Sequence, residues 1–135
     1  MTAKEYLGQA YRLDQRINSK IEQVASLNDL AHKCTLTLTG MPRNPNRATS
    51  RMEDAIEKIV DLQAEINRDI DRLVDLKREM VKVIKAVDNL EYQTLLEKRY
   101  LCFKQWEEIA VDMGYGIDNI FKMHKKALDC VSVPT

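Results

Sequence analysis

Six side chains near the end of the chain are of the types that nucleic-acid readers use: Asp118, Asn119, Phe121, Lys122, Lys125 and Lys126. Lysine neutralises phosphate, and asparagine can make a paired hydrogen bond to adenine. Phenylalanine can meet the thymine methyl group. An aspartate repels phosphate but accepts a hydrogen bond from cytosine. Asp118, Lys122 and Lys125 recur at four- and three-residue steps, which puts them on one side of a helix. His124 lies among them, as a phosphate contact or as an ordinary surface residue.

Such a helix needs a support that fixes its angle, and the preceding residues have that pattern. Ile109-Ala110 is followed by Met113-Gly114-Tyr115, then Ile120 and Met123. This is the spacing of two helices joined by a tight turn. Ala110 is small where the second helix crosses. Gly114 stands where the first helix stops, and a left-handed backbone there is cheapest for glycine. Ile109, Met113, Ile120 and Met123 fill the wedge between the helices. The bland alternative is a helical corner of no special function. Charge tilts the choice: Lys122, Lys125 and Lys126 crowd the last helix, while Glu107, Glu108 and Asp112 lie on the one before it. Trp106 lies one turn ahead of Ile109 and is expected in the core.

The upstream chain is helical in pattern. From about Ala3 to Leu38, Tyr6, Ala10, Leu13, Ile17, Val24, Leu27 and Ala31 share a face, with Leu7 and Ile21 beside them and Lys20 interrupting. Thr35–Thr39 alternates but has no partner strand, so a fraying helix end is expected there. A breaker stretch, Gly40 to Arg47, carries Pro42 and Pro45. It is expected to be a loop. Its arginines, with Arg51, would be solvated or would touch phosphate. Ser50-Arg51-Met52-Glu53 reads as a capping box that starts the next helix. A heptad follows: Ile56, Ile59, Gln63, Ile66, Ile70, Leu73, Lys77, Met80, Ile84 and Val87. About 37 residues of helix at a rise of about 1.5 Å reach on the order of 55 Å. Val60, Leu62, Val74, Leu76 and Val81 widen the apolar surface, which hints at a further partner such as a second copy. Gln63 and Lys77 interrupt the seam, either setting register or sitting at its rim. Asn89 and Glu91 mark another helix start.

Residues 90–131 resemble region 4 of sigma-70 family factors. The resemblance rests on Leu95-Leu96-Glu97-Lys98-Arg99-Tyr100-Leu101, on Trp106-Glu107-Glu108-Ile109-Ala110, on Met113-Gly114-Tyr115 and on His124-Lys125-Lys126-Ala127-Leu128. It implies a helix-turn-helix whose last helix reads promoter DNA and whose surface touches RNA polymerase. The whole chain, with a helical hairpin ahead of this module, is similar to small phage and prophage proteins of Gram-positive bacteria, some of them regulators of late phage transcription. The chain departs from the family at Gln105 and Gly116, where such modules carry Ser or Thr. Gln105 is a poorer cap than Ser or Thr, and Gly116 can serve as a cap but gives the last helix less support.

Composition narrows the function classes. The chain has 135 residues, 21 basic and 21 acidic, and net charge zero, which argues against coating nucleic acid by bulk electrostatics. With 44% hydrophobic residues it is not a disordered segment. No apolar run is long enough to span a membrane. Cys34, Cys102 and Cys130 lie far apart, and His32 and His124 do not complete a metal site, so free thiols in a reducing cytoplasm are expected. Thr-Ala-Lys-Glu after Met1 is not a secretory signal. The acids Glu53, Asp54, Glu57, Asp61 and Glu65 read as a solvated helix face. With no nucleophile–base pair and no phosphate-binding glycine loop, no enzyme activity and no cofactor are expected. The expected fold is all-α: a long antiparallel hairpin over 1–88, which would drive homo-oligomerisation, and a helix-turn-helix module over 89–135. The expected partner is double-stranded DNA, with RNA polymerase a second candidate. A protein–protein adaptor and a small DNA-packaging subunit of terminase type remain as alternatives.

Overall fold

The structure is a computed structural model that describes residues 1–40 and 45–134, with side chains for all of these except 34–40 and 45–49. Among the described residues it is all-helical, with no strand. Helices α1 (Ala3–Leu7), α2 (Gln9–Gly40), α3 (Pro45–Lys85) and α4 (Leu90–Leu96) are followed by a π-helical turn (Glu97–Leu101), α5 (Trp106–Met113) and α6 (Ile117–Asp129). No described helix is long and apolar enough to cross a membrane.

The first segment is two helices rather than one. Thr2 and Glu5 form a capping box: the Thr2 hydroxyl accepts from the Glu5 N–H, and the Glu5 carboxylate accepts from the Thr2 N–H, both at 3.2 Å. Helix α1 stops at Gly8, and α2 begins at the next residue.

The start of α3 also departs from the sequence reading. The helix begins at Pro45, so Ser50 and Glu53 lie inside it and do not cap its start. A proline suits a first helical turn, where its missing N–H costs nothing. The breaker stretch is thus helical at Gly40 and at Pro45–Arg47. Met41–Asn44, and the side chain of Arg47, lie outside the described residues.

The chain divides into two compact units, Gln15–Asp71 on one side and Met1–Asp14 with Arg72–Thr135 on the other. In the first unit the buried residues are Ile17, Ala55, Leu62, Ile66 and, against expectation, Asp69. Lys20 Nζ of α2 lies 2.6 Å from Asp69 Oδ2 and 3.7 Å from Glu65 Oε2 of α3. The lysine that breaks the apolar stripe of α2 thus meets a buried carboxylate. Charges are buried in this way when they are paired.

The heptad on α3 keeps one expected row, Ile66, Leu73, Met80 and Val87, with Ile84 also buried, and shifts the other by one residue. The positions that turn inward are Ala55, Leu62, Asp69 and Leu76, alternating with Ile66, Leu73, Met80 and Val87. Ile56, Gln63 and Ile70 are exposed. Lys77 is not a seam residue that sets register. Its ammonium donates to the Leu101 carbonyl at 3.1 Å and lies 4.6 Å from the centre of the Phe103 ring.

The second unit holds two apolar clusters. Tyr6, Leu7, Ala10, Met80, Ile84, Val87, Leu96, Tyr100 and Ala127 form one. Leu95, Ile109, Ala110, Ile120 and Met123 form the other, with Tyr92, Trp106, Met113 and Tyr115 packed against it. Side-chain hydrogen bonds secure the joint between α3 and α4. Asn89 Oδ1 accepts from the N–H groups of Glu91 and Tyr92, as expected of a cap. Gln93 Nε2 donates to the Val87 and Lys85 carbonyls, two acceptors left free where α3 ends.

Candidate nucleic-acid interface

Helix α5 ends in a turn that only a few backbones can make. Gly114 has φ 74° and ψ 27°, the left-handed region. Its N–H donates to the Val111 carbonyl at 3.3 Å, and the Tyr115 N–H donates to the Ala110 carbonyl at 3.0 Å. That pair of bonds is the Schellman arrangement, and it satisfies carbonyls the helix leaves open. A side chain at Gly114 would be strained by the positive φ, although nothing stands in its way. At Gly116 the backbone is extended and begins α6, with its carbonyl accepting from the Ile120 N–H at 3.0 Å. Neither Gln105 nor Gly116 provides a side-chain cap, which matches the expectation drawn from their types.

Tyr115 is fixed beside the turn by a hydrogen bond from its hydroxyl to Glu91 Oε1 at 2.8 Å. That bond holds its pKa above the usual tyrosine value. Across α5, Asp112 takes Lys104 at 2.7 Å and Lys98 at 3.5 Å. The hydrogen bond from Lys104 lowers the pKa of Asp112, and the same bond raises that of Lys104. Lys98 and Lys104 thus have a local carboxylate partner. No ion pair is found for Lys122, Lys125 or Lys126 among the described residues.

Helix α6 has a sharp division of faces. Ile120, Met123, His124 and Ala127 are buried. Asp118, Asn119, Phe121, Lys122, Lys125 and Lys126 are all exposed. The six residues singled out from the sequence therefore share the open side of one short helix. Phe121 is 47% exposed and sets its edge against Trp106, ring centres 5.5 Å apart.

His124 does not belong with them. It is 9% exposed, and its Nε2 shares a 2.5 Å hydrogen bond with the Tyr100 hydroxyl. The Trp106 ring lies 4.5 Å away, centre to centre. Burial, with Lys4 and Arg99 nearby, pushes its pKa down to about 4, so it is neutral at pH 7 and no phosphate contact. Burial pushes Tyr100 up to about 12. The helical period explains the correction: His124 is four residues past Ile120 and three before Ala127, on the inner stripe. Trp106 is half-buried rather than fully in the core, with Arg99 stacked 4.5 Å from its centre.

The sequence reading missed a second group of residues. Lys4, Tyr11, Arg12, Arg99, Phe103 and Trp106 line one cleft of about 490 Å³ in the same unit. They come from distant parts of the chain, and no local spacing joins them. No protein-family model, curated protein or solved structure matches the chain.

Proposed function

We propose that this protein is a sequence-specific DNA-binding transcription regulator of the phage or prophage type, with α6 reading the major groove. The observation that carries the reading is the division of α6. Its inner face is fully engaged, and its outer face offers Asn119, Phe121, Lys122, Lys125 and Lys126 together. Lysines without carboxylate partners are available to phosphates, and Asn119 to a base edge. Asp118 restricts the site, since it repels phosphate and favours a cytosine amino group. The Schellman turn at Gly114 and the resemblance of residues 90–131 to sigma-70 region 4 support the same reading. In it, α5 and α6 are the helix-turn-helix, and α2 with α3 is the long antiparallel hairpin. The hairpin brings copies together through Ile21, Leu30, Ile56, Val60 and Ile70, large apolar side chains left exposed in one unit.

A second reading is an adaptor that grips RNA polymerase or another regulator. Val111 on α5 is 81% exposed, an apolar side chain without a packing role in the fold. The experiment that separates the readings is binding to fragments of the protein's own genomic neighbourhood, with competitor DNA, at two salt concentrations. A regulator selects one fragment and weakens as salt rises. Folded protein with no fragment preference favours the adaptor.

A further inference from the structure

Three irregularities of the backbone meet at the cleft between α1, the first turns of α2 and the π-helical turn. Helix α1 breaks at Gly8, where an added Cβ would come within 3.1 Å of the Lys4 carbonyl and 3.3 Å of Arg12 Nη1. The glycine thus lets the Arg12 side chain fold back across the break, where Nη2 donates to the Glu5 carbonyl at 3.1 Å. The π-helical turn, a form often found at functional sites, carries Arg99 and Tyr100. Phe103 holds φ 58°, an outlier for a bulky residue. Tyr11 fixes it edge-on, centres 5.6 Å apart, and Lys77 lies over its ring. Strain of this kind persists where the surrounding structure holds it, and it concentrates at binding sites.

The chemistry of the lining is specific. Lys4, Arg12 and Arg99 face a single carboxylate, Glu5, which is engaged by the Thr2 N–H. No ion pair is found for any of the three cations among the described residues. Arg99 lies over Trp106, and one of its N–H groups donates to the Lys104 carbonyl at 3.0 Å. Stacking holds the guanidinium plane still and leaves its remaining donors for an anion. Three cations against one acid leave an excess of two positive charges, which suits a phosphate dianion better than a lone carboxylate. Tyr11, Phe103 and Trp106 add aromatic wall of the kind on which nucleobases stack. At about 490 Å³ the cleft is of small-molecule size.

We propose that this cleft binds a nucleotide, with its phosphate on Lys4, Arg12 and Arg99 and its base against the aromatic wall. The lining includes none of the six outer residues of α6, although Phe121 adjoins it through Trp106, and Lys4 and Arg12 test the cleft independently of the major-groove reading. The ligand is either a free nucleoside phosphate or the phosphorylated end of a nucleic-acid strand.

Trp106 is the only tryptophan in the chain, so its fluorescence reports on the cleft. The full-length protein is titrated with nucleoside mono- and triphosphates, with inorganic phosphate and with a 5′-phosphorylated single-stranded oligonucleotide. Calorimetry serves as a second readout. Saturable quenching by a nucleotide is expected, with inorganic phosphate competing against it. Lys4→Ala and Arg12→Ala each weaken binding by about tenfold or more, as removal of a charge-assisted hydrogen bond does. Lys122→Ala with Lys125→Ala leaves mononucleotide binding unchanged. Tighter binding of the mononucleotide identifies a free effector, and tighter binding of the oligonucleotide identifies a strand end. No saturable binding of either by the folded protein overturns the proposal. So does binding that Lys4→Ala and Arg12→Ala, with unchanged melting, do not weaken.

Discussion

The unit Gln15–Asp71 and the unit built from Met1–Asp14 and Arg72–Thr135 are held together in different ways. Among its described residues the first has four buried apolar side chains, two of them Ile, and places a lysine–aspartate pair among them. The second encloses Leu7, Met80, Ile84, Leu95, Leu96, Ile109 and Ile120 with essentially no exposure. A narrow apolar strip specifies little by itself, because neighbouring registers bury similar area. One buried ion pair between Lys20 and Asp69 penalises the wrong registers, much as a polar seam residue does in a coiled coil. In the second unit close-packed side chains of unequal size fit in one way, and the buried Tyr100–His124 hydrogen bond lies beside them.

Breaking each unit at its own device should give the largest effects. Lys20→Ala removes the ammonium that meets Asp69 at 2.6 Å and should cost about 1.5–3 kcal/mol, the usual worth of a hydrogen bond to a charged group. Replacing both residues, Lys20→Met with Asp69→Leu, should recover part of that stability. Leu95→Ala in the other unit should cost about 2–5 kcal/mol through the cavity it leaves. Urea denaturation followed by circular dichroism measures all three. A destabilisation under about 1 kcal/mol for Lys20→Ala would show that the pair is not what holds its unit.

Acid should act on the second unit through His124. Its pKa is about 4 in the fold against an ordinary value of 6.5, so the unfolded chain binds the proton more readily in between. Stability from the neutral ring is complete above pH 6.5 and is lost as pH falls from 6.5 towards 4. The full linkage value of that difference is about 3 kcal/mol. Melting curves across this range should show the decline, and His124→Gln should flatten the profile between those limits. A variant that keeps the slope would assign the acid sensitivity to carboxylates instead.

The smallest effect sharpens the local account of α6. Gly116→Ser supplies the missing cap at a position where nothing crowds a side chain. It should raise stability by a few tenths of a kcal/mol, read as a small increase in Tm. No increase would mean that the serine hydroxyl does not reach the open N–H groups of α6.

The helices and the α5–α6 turn are legible in the sequence because both are local. Gly114 with Ala110 four residues earlier, and the apolar period of α6, depend only on near neighbours. The six outward residues follow from the same period, whereas His124 is misread because its charge class outweighs its place on the inner stripe. Thr2-x-x-Glu5 is as readable as any capping box, while at Ser50-x-x-Glu53 the same pattern misleads because Pro45 starts the helix earlier. One row of the α3 seam, Ile66, Leu73, Met80 and Val87, is legible, while the other is read one step off because Ile56, Gln63 and Ile70 mimic the row that contains Asp69. The cleft is out of reach of sequence: Lys4, Arg12 and Arg99 meet only through the tertiary fold.

The central claim is that the outer face of α6 binds DNA. Its most direct test is the salt dependence of affinity for a preferred fragment, compared between the wild-type protein and Lys122→Ala with Lys125→Ala. The expected result is weaker binding and a slope of log affinity against log salt that falls by about 2, one for each phosphate no longer neutralised. An unchanged affinity and slope in the folded variant would contradict the claim and put DNA, if bound, on another surface.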